Sequence, residues 1–367
     1  MKILAQFESI MDFLSVTKRD ISDNQVSSLN RKDRRKYKKL KDLFNINVPE
    51  IINIINNTVG DKSLIMDYVL INKDMKIIDR PYNLIFNHCT RRYEPCLVIL
   101  FAIVLVNGIK YPINFDFWIC KDMIGTDDYL TKNEIAKNML KCLLDNALKI
   151  DRILFDAGFT SEVLINFINE QKIPFTCRIA KTKKFIYRKK KYTPKELFKN
   201  VKNASFYFYK KVGYMSKKFV KYFDVKSTLV VVANNRNKLI DRDFYCLIST
   251  ESKTYTEIFR IYKTRFHIES FFRNMKSYIG LTSFNTHNQD KIDNHISLCC
   301  ISYIFVELFS KKIKMTFFQT LMYIQTLSKS ILERKLYPIF KSIKNIFNEK
   351  STFQTLNNPI LKYLRAF

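Results

Sequence analysis

The sequence predicts an α/β chain: strands and a helix alternate in the first half, a β-rich stretch interrupts them, and helices close the chain. Three observations carry this expectation. After Ser63, the run to residue 71 is apolar apart from Asp67, the pattern of a buried strand. Between 173 and 250 the apolar runs shorten to strand length and turn signals separate them. From 254 onward apolar residues recur at helical spacing, beginning at a capping box, Thr254 to Glu257.

Composition narrows the class of partner. The chain of 367 residues carries 63 Lys and Arg against 34 Asp and Glu, a net charge of +29. A field of that sign favours polyanions, either nucleic acid or an acidic membrane surface. Part of the charge reflects a bias toward Lys, Asn, Ile, Phe and Tyr, the mark of an AT-rich genome. With 31 Phe and 20 Tyr there is material for a sizeable core. The eight cysteines show no zinc-finger spacing and read as reduced thiols of a cytosolic protein. The N-terminus does not resemble a signal peptide. The longest apolar runs, 97–106 and 296–309, fall short of the ~18 residues of a membrane span. The expectation is a soluble, cytoplasmic protein without a membrane partner.

In chain order, residues 1–60 read as a polar helical region. Its segment 31–41 holds eight cations and one Asp, suited either to a solvated helix face or to a phosphate-contacting arm. The strand at 63–71 is followed by hairpin strands at 84–91 and 96–106. Asn107 and Gly108 then signal a tight turn, with a returning strand at 109–119. A helix is expected over 133–148, capped by Asp128 or Thr131. A short buried strand ends at Asp156, and Thr160 is the expected cap of a helix reaching about 171. The β-like runs that follow lie at 175–179, 184–188, 205–211, 219–225, 228–233 and 244–249. Residues 178–226 contain 17 Lys or Arg and two acids, with aromatic residues interleaved. Such a surface can track a nucleic-acid backbone, or be a half-buried sheet whose wet face is solvated by Lys.

Tyr262, Arg265, Glu269 and Lys276 stand at offsets 0, 3, 7 and 14. On one continuous helix they share a stripe about 60° wide. Ile261, Ile268, Phe272, Met275 and Ile279 would form the neighbouring core stripe, and Gly280 would end the helix. A carboxylate flanked by cations and a phenol suits a site that binds a metal and grips a phosphodiester. The plainer alternative is an amphipathic helix with ion pairs of Glu269 to Arg265 or Arg273. Asp67 and Asp156 carry the same ambiguity. Asp67 could pair with Lys73 or Arg80, and Asp156 could merely shape its turn. Together, however, a strand with Asp, an antiparallel hairpin, a helix, a strand ending in Asp and a later helix with Glu make the ribonuclease-H-like layout.

These residues resemble the DDE transposases of bacterial insertion sequences, in the insertion-sequence-four group marked by a Tyr-Arg-Glu-Lys signature. Tyr262, Arg265, Glu269 and Lys276 fit that signature, Asp156–Phe159 fits the Asp-x-Gly-aromatic motif, and Asp67 fits the first-Asp strand. Residues 87–92 resemble the hairpin strand that follows. The resemblance spans roughly 60–310, with Tyr68 and Phe266 departing from common residues of the group. It implies a ribonuclease-H-like (retroviral-integrase-like) core interrupted by a β-rich insertion, with helical terminal regions. The expected divisions are a DNA-binding region at 1–60, core at 61–172, insertion at 173–250, core with the catalytic Glu at 251–285 and a helical region at 286–367.

The implied activity is metal-dependent cleavage at element ends and strand transfer into target DNA. Asp67, Asp156 and Glu269 would hold Mg2+, with Mn2+ as a substitute. Tyr262, Arg265, Lys276, Arg178 and Arg273 would contact DNA. Partners would be double-stranded DNA, both terminal inverted repeats and target, and a second copy of the chain in a bacterial, nucleoid-associated complex. The alternatives are a catalytically inactive DNA-binding relative, a nuclease of the same fold without strand transfer, and a basic RNA-binding protein.

Overall fold

The computed structural model describes residues 39–72, 83–87, 91–121, 129–197, 206–210, 212–234, 244–284 and 289–326. The expected cationic segment 31–41 therefore lies almost wholly outside the described residues, as do Lys73, Arg80 and residues 88–90. In chain order the elements are α1 (Lys39–Asn57), β1 (Ser63–Asn72), β2 (Asn83–Asn87), β3 (Arg92–Val106), β4 (Ile109–Trp118), α2 (Lys132–Asp145), β5 (Arg152–Phe155), α3 (Glu162–Glu170), β6 (Phe175–Ile179), β7 (Phe185–Tyr187) and β8 (Lys190–Tyr192). They continue as α4 (Pro194–Leu197), β9 (Tyr207–Tyr209), β10 (Gly213–Tyr222), β11 (Val225–Ala233), β12 (Tyr245–Ser249), α5 (Tyr255–Thr264), α6 (His267–Asn274), α7 (Gln289–Ile313) and α8 (Phe317–Thr326).

The chain divides into two compact units. The first, Thr58–Gly108 and Pro112–Glu269, contains a mixed sheet running β2-β3-β1-β5-β6-β12-β11-β10-β7-β8, with β4 on β3 and β9 on β10. β3 pairs antiparallel to β1, whereas β5 and β6 run parallel to it in turn. Beyond β6 the pairing is antiparallel throughout. β3 and β5 are buried along most of their length, the signature of strands covered on both faces. Asn107 and Gly108 take φ of 50° and 74°, as a type I′ hairpin turn demands.

Local chemistry sets the boundaries. Thr131 caps α2 in a capping box with Glu134. α3 starts one residue later than expected. Asp156 is followed by a 3₁₀ turn, Ala157–Phe159, and Thr160 closes it by donating its hydroxyl to the Ala157 carbonyl at 2.7 Å. Ser161 is then the cap. The strand expected at 219–225 is split between β10 and β11, because Phe223 and Asp224 adopt φ of 47° and 63° and reverse the chain.

The second unit comprises the described parts of Met1–Asn57, Ile109–Tyr111 and Ser270–Phe367. Here α1 packs against α7, and a ring cluster of Phe271, Tyr303 and Phe317 fills the core. Glu307, buried on α7, is neutralised by Lys110 at 2.8 Å and accepts the Tyr303 hydroxyl at 3.4 Å. No helix among the described residues is long and apolar enough to cross a membrane.

Candidate active site

The signature segment is not one continuous helix. Capped by Thr254 with Glu257 as expected, α5 ends at Thr264, α6 begins at His267, and a π turn, Met275–Ile279, precedes a left-handed Gly280 with φ 85°. At the junction the backbone bonds span three residues: Arg265 N to Tyr262 O, Phe266 N to Lys263 O, Ile268 N to Arg265 O and Glu269 N to Phe266 O. That tighter winding turns each residue further than 100°. The accumulated rotation swaps the expected core residue Phe272, half-buried, for Phe271, which is fully buried. Ile268, Met275 and Ile279 are buried as expected, while Ile261 is only half-buried.

α5 is seated by its own apolar stripe. Ile258, Phe259 and Tyr262 pack on Met215, Val230, Val232 and Leu247 of β10, β11 and β12. This fixes Tyr262 against the sheet face that passes above β5. The β1–β5 register pairs Met66 with Phe155, so Asp67 and Asp156 follow at matching positions on parallel neighbours. Asp67 lies in the middle of β1 and Asp156 just past the end of β5, so their carboxylates leave the same face on neighbouring strands where β5 ends, the kind of place where ligands of α/β sheets are bound.

Two signature residues join the three carboxylates. Arg265 donates from Nη1 to Asp67 Oδ2 at 2.8 Å and from Nη2 to Glu269 Oε1 at 2.9 Å. Tyr262 donates its hydroxyl to Asp156 Oδ1 at 3.2 Å. Asp67 Oδ1 also accepts the Tyr68 backbone amide at 2.9 Å. Arg265 is only 6% exposed, and its Nε has no partner among the described residues. Its guanidinium lies over the Tyr262 and Phe266 rings at 5.6 and 5.1 Å.

The electrostatics are those of a crowded anionic site. Burial lifts the Asp67 carboxyl from 3.8 to about 6; Asp156 and Glu269 push the same way, against the Tyr68 amide and Arg265. Burial raises the Tyr262 phenol well above its ordinary value, so it stays protonated and remains a donor.

The expected ion pair of Arg265 with Glu269 is present, and Asp67 takes Arg265 as its partner across 198 residues of sequence. Arg265, expected on phosphate, is thus committed to carboxylates in this state. No group of three or more His, Cys, Asp or Glu side chains among the described residues is gathered to hold a metal ion. The Arg265 guanidinium stands between Asp67 and Glu269 instead. The donor set nevertheless has the right chemistry for a hard divalent cation, since all three groups are carboxylates and repel one another.

Arg178 sits on β6 opposite Leu247, on the face that carries α5, and its positive charge opposes the rise of the Tyr262 and Tyr245 phenols. Arg273 and Lys276 belong to the helical unit and are exposed. Along β10, Lys217, Phe219 and Lys221 alternate onto one face; Phe219 is 72% exposed, with the Lys217 ammonium 5.4 Å from its ring centre. Sequence reasoning missed the role of Arg265 as counter-ion to Asp67 and the hydroxyl link from Tyr262 to Asp156. Only the four-residue spacing of Arg265 and Glu269 hinted at the former.

Residues 122–305, half of the chain, match the family model described as Transposase DDE domain. The match contains Asp156, Tyr262, Arg265 and Glu269, while Asp67 precedes it. No curated protein matches the chain. Among solved structures it is similar to the NurA nuclease from Sulfolobus solfataricus, at 10% identity over 88% of this chain and 100% of that one, with a TM-score of 0.28. It is also similar to the Drosophila P element transposase strand transfer complex, at 10% identity over 97% and 90% with a TM-score of 0.22. Likenesses this weak bear on neither fold nor function. The family match is of a different order, and by it the chain belongs to the family of transposase DDE domains.

Proposed function

We propose that this chain is a transposase of the insertion-sequence-four group, cutting DNA at the ends of its element and joining them to target DNA. The observation that carries the reading is that Arg265 bridges Asp67 and Glu269, while Tyr262 donates to Asp156, which follows β5 on the strand beside Asp67. The strand order β4-β3-β1-β5-β6, three antiparallel and then two parallel, supports a ribonuclease-H-like core. β7 to β11, hydrogen-bonded onward from β12, support the expected basic insertion.

In this reading Asp67, Asp156 and Glu269 hold Mg2+, which supplies Lewis-acid stabilisation of the charge that builds on the reacting phosphate. Tyr262 keeps the Asp156 carboxylate oriented through its hydroxyl. Arg265 neutralises Asp67 and Glu269, and its planar fork has the geometry that would also suit a phosphate. Arg178, beside Tyr262, grips the backbone near the cut, and the Lys217, Phe219 and Lys221 face extends the track. Lys276 and Arg273 add further phosphate contacts. A dimer in the DNA complex would bring two ends together.

The Arg265 bridge also favours a second reading, a DNA-binding relative that no longer cuts. One assay separates them. Purified protein, Mg2+ and a plasmid carrying the ends that flank the gene should yield cleaved and then joined products. Glu269→Gln should yield neither while binding the ends within a few-fold. Binding without any cleavage by the unaltered protein would leave the inactive relative; cleavage without joining would leave a nuclease.

A further inference from the structure

Four cations stand in succession at 188–191, Arg-Lys-Lys-Lys, and the fold puts them at the end of a two-stranded ribbon. β7 and β8 pair antiparallel as Phe185 with Tyr192, Ile186 with Lys191 and Tyr187 with Lys190, so the chain reverses over Arg188 and Lys189 alone. All four cations are exposed, and no carboxylate pairs with any of them among the described residues. The nearest acid in sequence, Glu196, accepts the Thr193 amide at 2.7 Å.

The ribbon is braced at its base. Phe185 is buried, the Tyr187 and Tyr192 rings meet edge to face at 6.5 Å, and the Arg188 guanidinium lies 5.3 Å from the Tyr187 ring centre. Beyond Tyr192, Thr193 and Glu196 cap the start of α4 reciprocally. One rung, Lys221 with Ile186, joins β7 to the rest of the sheet, and β8 is the last strand in the order. The tip therefore stands at the sheet edge on a firm base.

Its backbone is strained. Arg188 and Lys189 take φ of 47° and 65°, a pair that two-residue hairpins ordinarily fill with Asn-Gly, as Asn107 and Gly108 do in this chain. A Cβ disfavours that region for Arg and Lys. Strain alone marks no site, since Phe223 and Asp224 share it. At the β7–β8 turn it coincides with the mutual repulsion of four neighbouring charges, which a polyanion at the tip would remove. A two-stranded ribbon fits the major groove of duplex DNA, about 12 Å wide, and is too broad for the minor groove, about 6 Å wide.

We propose that the β7–β8 hairpin enters the major groove of the element end, its four cations on the phosphates that wall the groove. The assignment rests on the transposase reading and deepens it: the basic sheet face follows the backbone, whereas this hairpin fixes which groove faces the protein.

Arg188→Asn with Lys189→Gly installs the pair that the turn favours, so it removes two charges without loosening the fold. Full-length proteins are titrated, without Mg2+, with a duplex carrying the element end over a series of KCl concentrations, and thermal unfolding is followed in parallel. The double variant should unfold no lower than the unaltered protein, yet its salt slope should fall by about 1.8, the share of two phosphate contacts. Lys190→Gln with Lys191→Gln, which leaves the turn as it is, should lower the slope by a similar amount. Dimethyl sulfate methylates guanine N7 in the major groove and adenine N3 in the minor groove, and so locates the hairpin. The unaltered protein should shield guanine N7 positions that the Asn-Gly variant leaves open. Unchanged slopes in both variants, or shielding lost at adenine N3 instead, overturn the assignment and leave the transposase reading standing. Absence of any salt-dependent binding by the unaltered protein removes both.

Discussion

Asp67→Asn should make the metal-free protein more stable at neutral pH, although it deletes a carboxylate that accepts two hydrogen bonds. The magnitude follows from the Asp67 carboxyl, which burial raises from 3.8 to about 6. At about 1.4 kcal/mol for each tenfold in proton affinity, the ionised form is about 3 kcal/mol costlier folded than unfolded. That figure is already net of the ion pair with Arg265. The sign is that of an acid with a raised folded value: the native state binds the extra proton, so stability is lost as pH rises from about 4 to above 6. Asn keeps the shape and an oxygen acceptor for the Tyr68 amide but carries no charge. Urea unfolding of both proteins from pH 4 to pH 7.5 tests this, because the difference between them cancels the other titrating groups. The difference should open from near zero at the acid end to about 3 kcal/mol in favour of Asn. A difference that stays flat, or favours Asp67 at pH 7.5, would refute the crowded anionic site.

Arg265 and Lys276 should separate into different roles. Arg265→Ala strands a buried carboxylate and should cost about 3–5 kcal/mol of stability, read by denaturant unfolding; Lys276→Ala, at an exposed position, should leave stability within about 0.5 kcal/mol. Lys276→Ala should instead lower the salt slope of end binding by about 0.9, and an unchanged slope would take Lys276 off the DNA. Gly213→Ala should destabilise the insertion by about 1–3 kcal/mol, since Gly213 has φ +103° and an added Cβ would stand 2.2 Å from the Ala233 carbonyl oxygen. Hydrogen exchange along β10 and β11 would report it; unchanged protection would count against the strain.

Much of the site was legible because it rests on residues whose oddity survives in one dimension. An Asp inside an apolar strand, an Asp ending another, and a glutamate spaced from Tyr, Arg and Lys are visible without coordinates. The capping box at Thr254 and the turn at Asn107 and Gly108 were legible for the same reason: local chemistry suffices to form them. What was hidden depends on distant pairing or on cumulative geometry. Nothing near Asp67 in sequence announces Arg265, 198 residues away, and the plausible local cations Lys73 and Arg80 drew attention instead. The tightened turn at residues 265–269 leaves no signature in composition, yet it decides whether Phe271 or Phe272 enters the core. The β10–β11 reversal escaped notice because Phe223 and Asp224 do what glycine or asparagine usually does.

The most direct test is to locate a divalent cation. Crystals of the full-length protein with its element end, grown with Mn2+ and measured at the manganese absorption edge, should show an anomalous peak between the Asp67 and Asp156 carboxylates, with the Arg265 guanidinium moved off Asp67. A map with no peak there, and Arg265 still spanning Asp67 and Glu269 in the presence of DNA, would contradict the account.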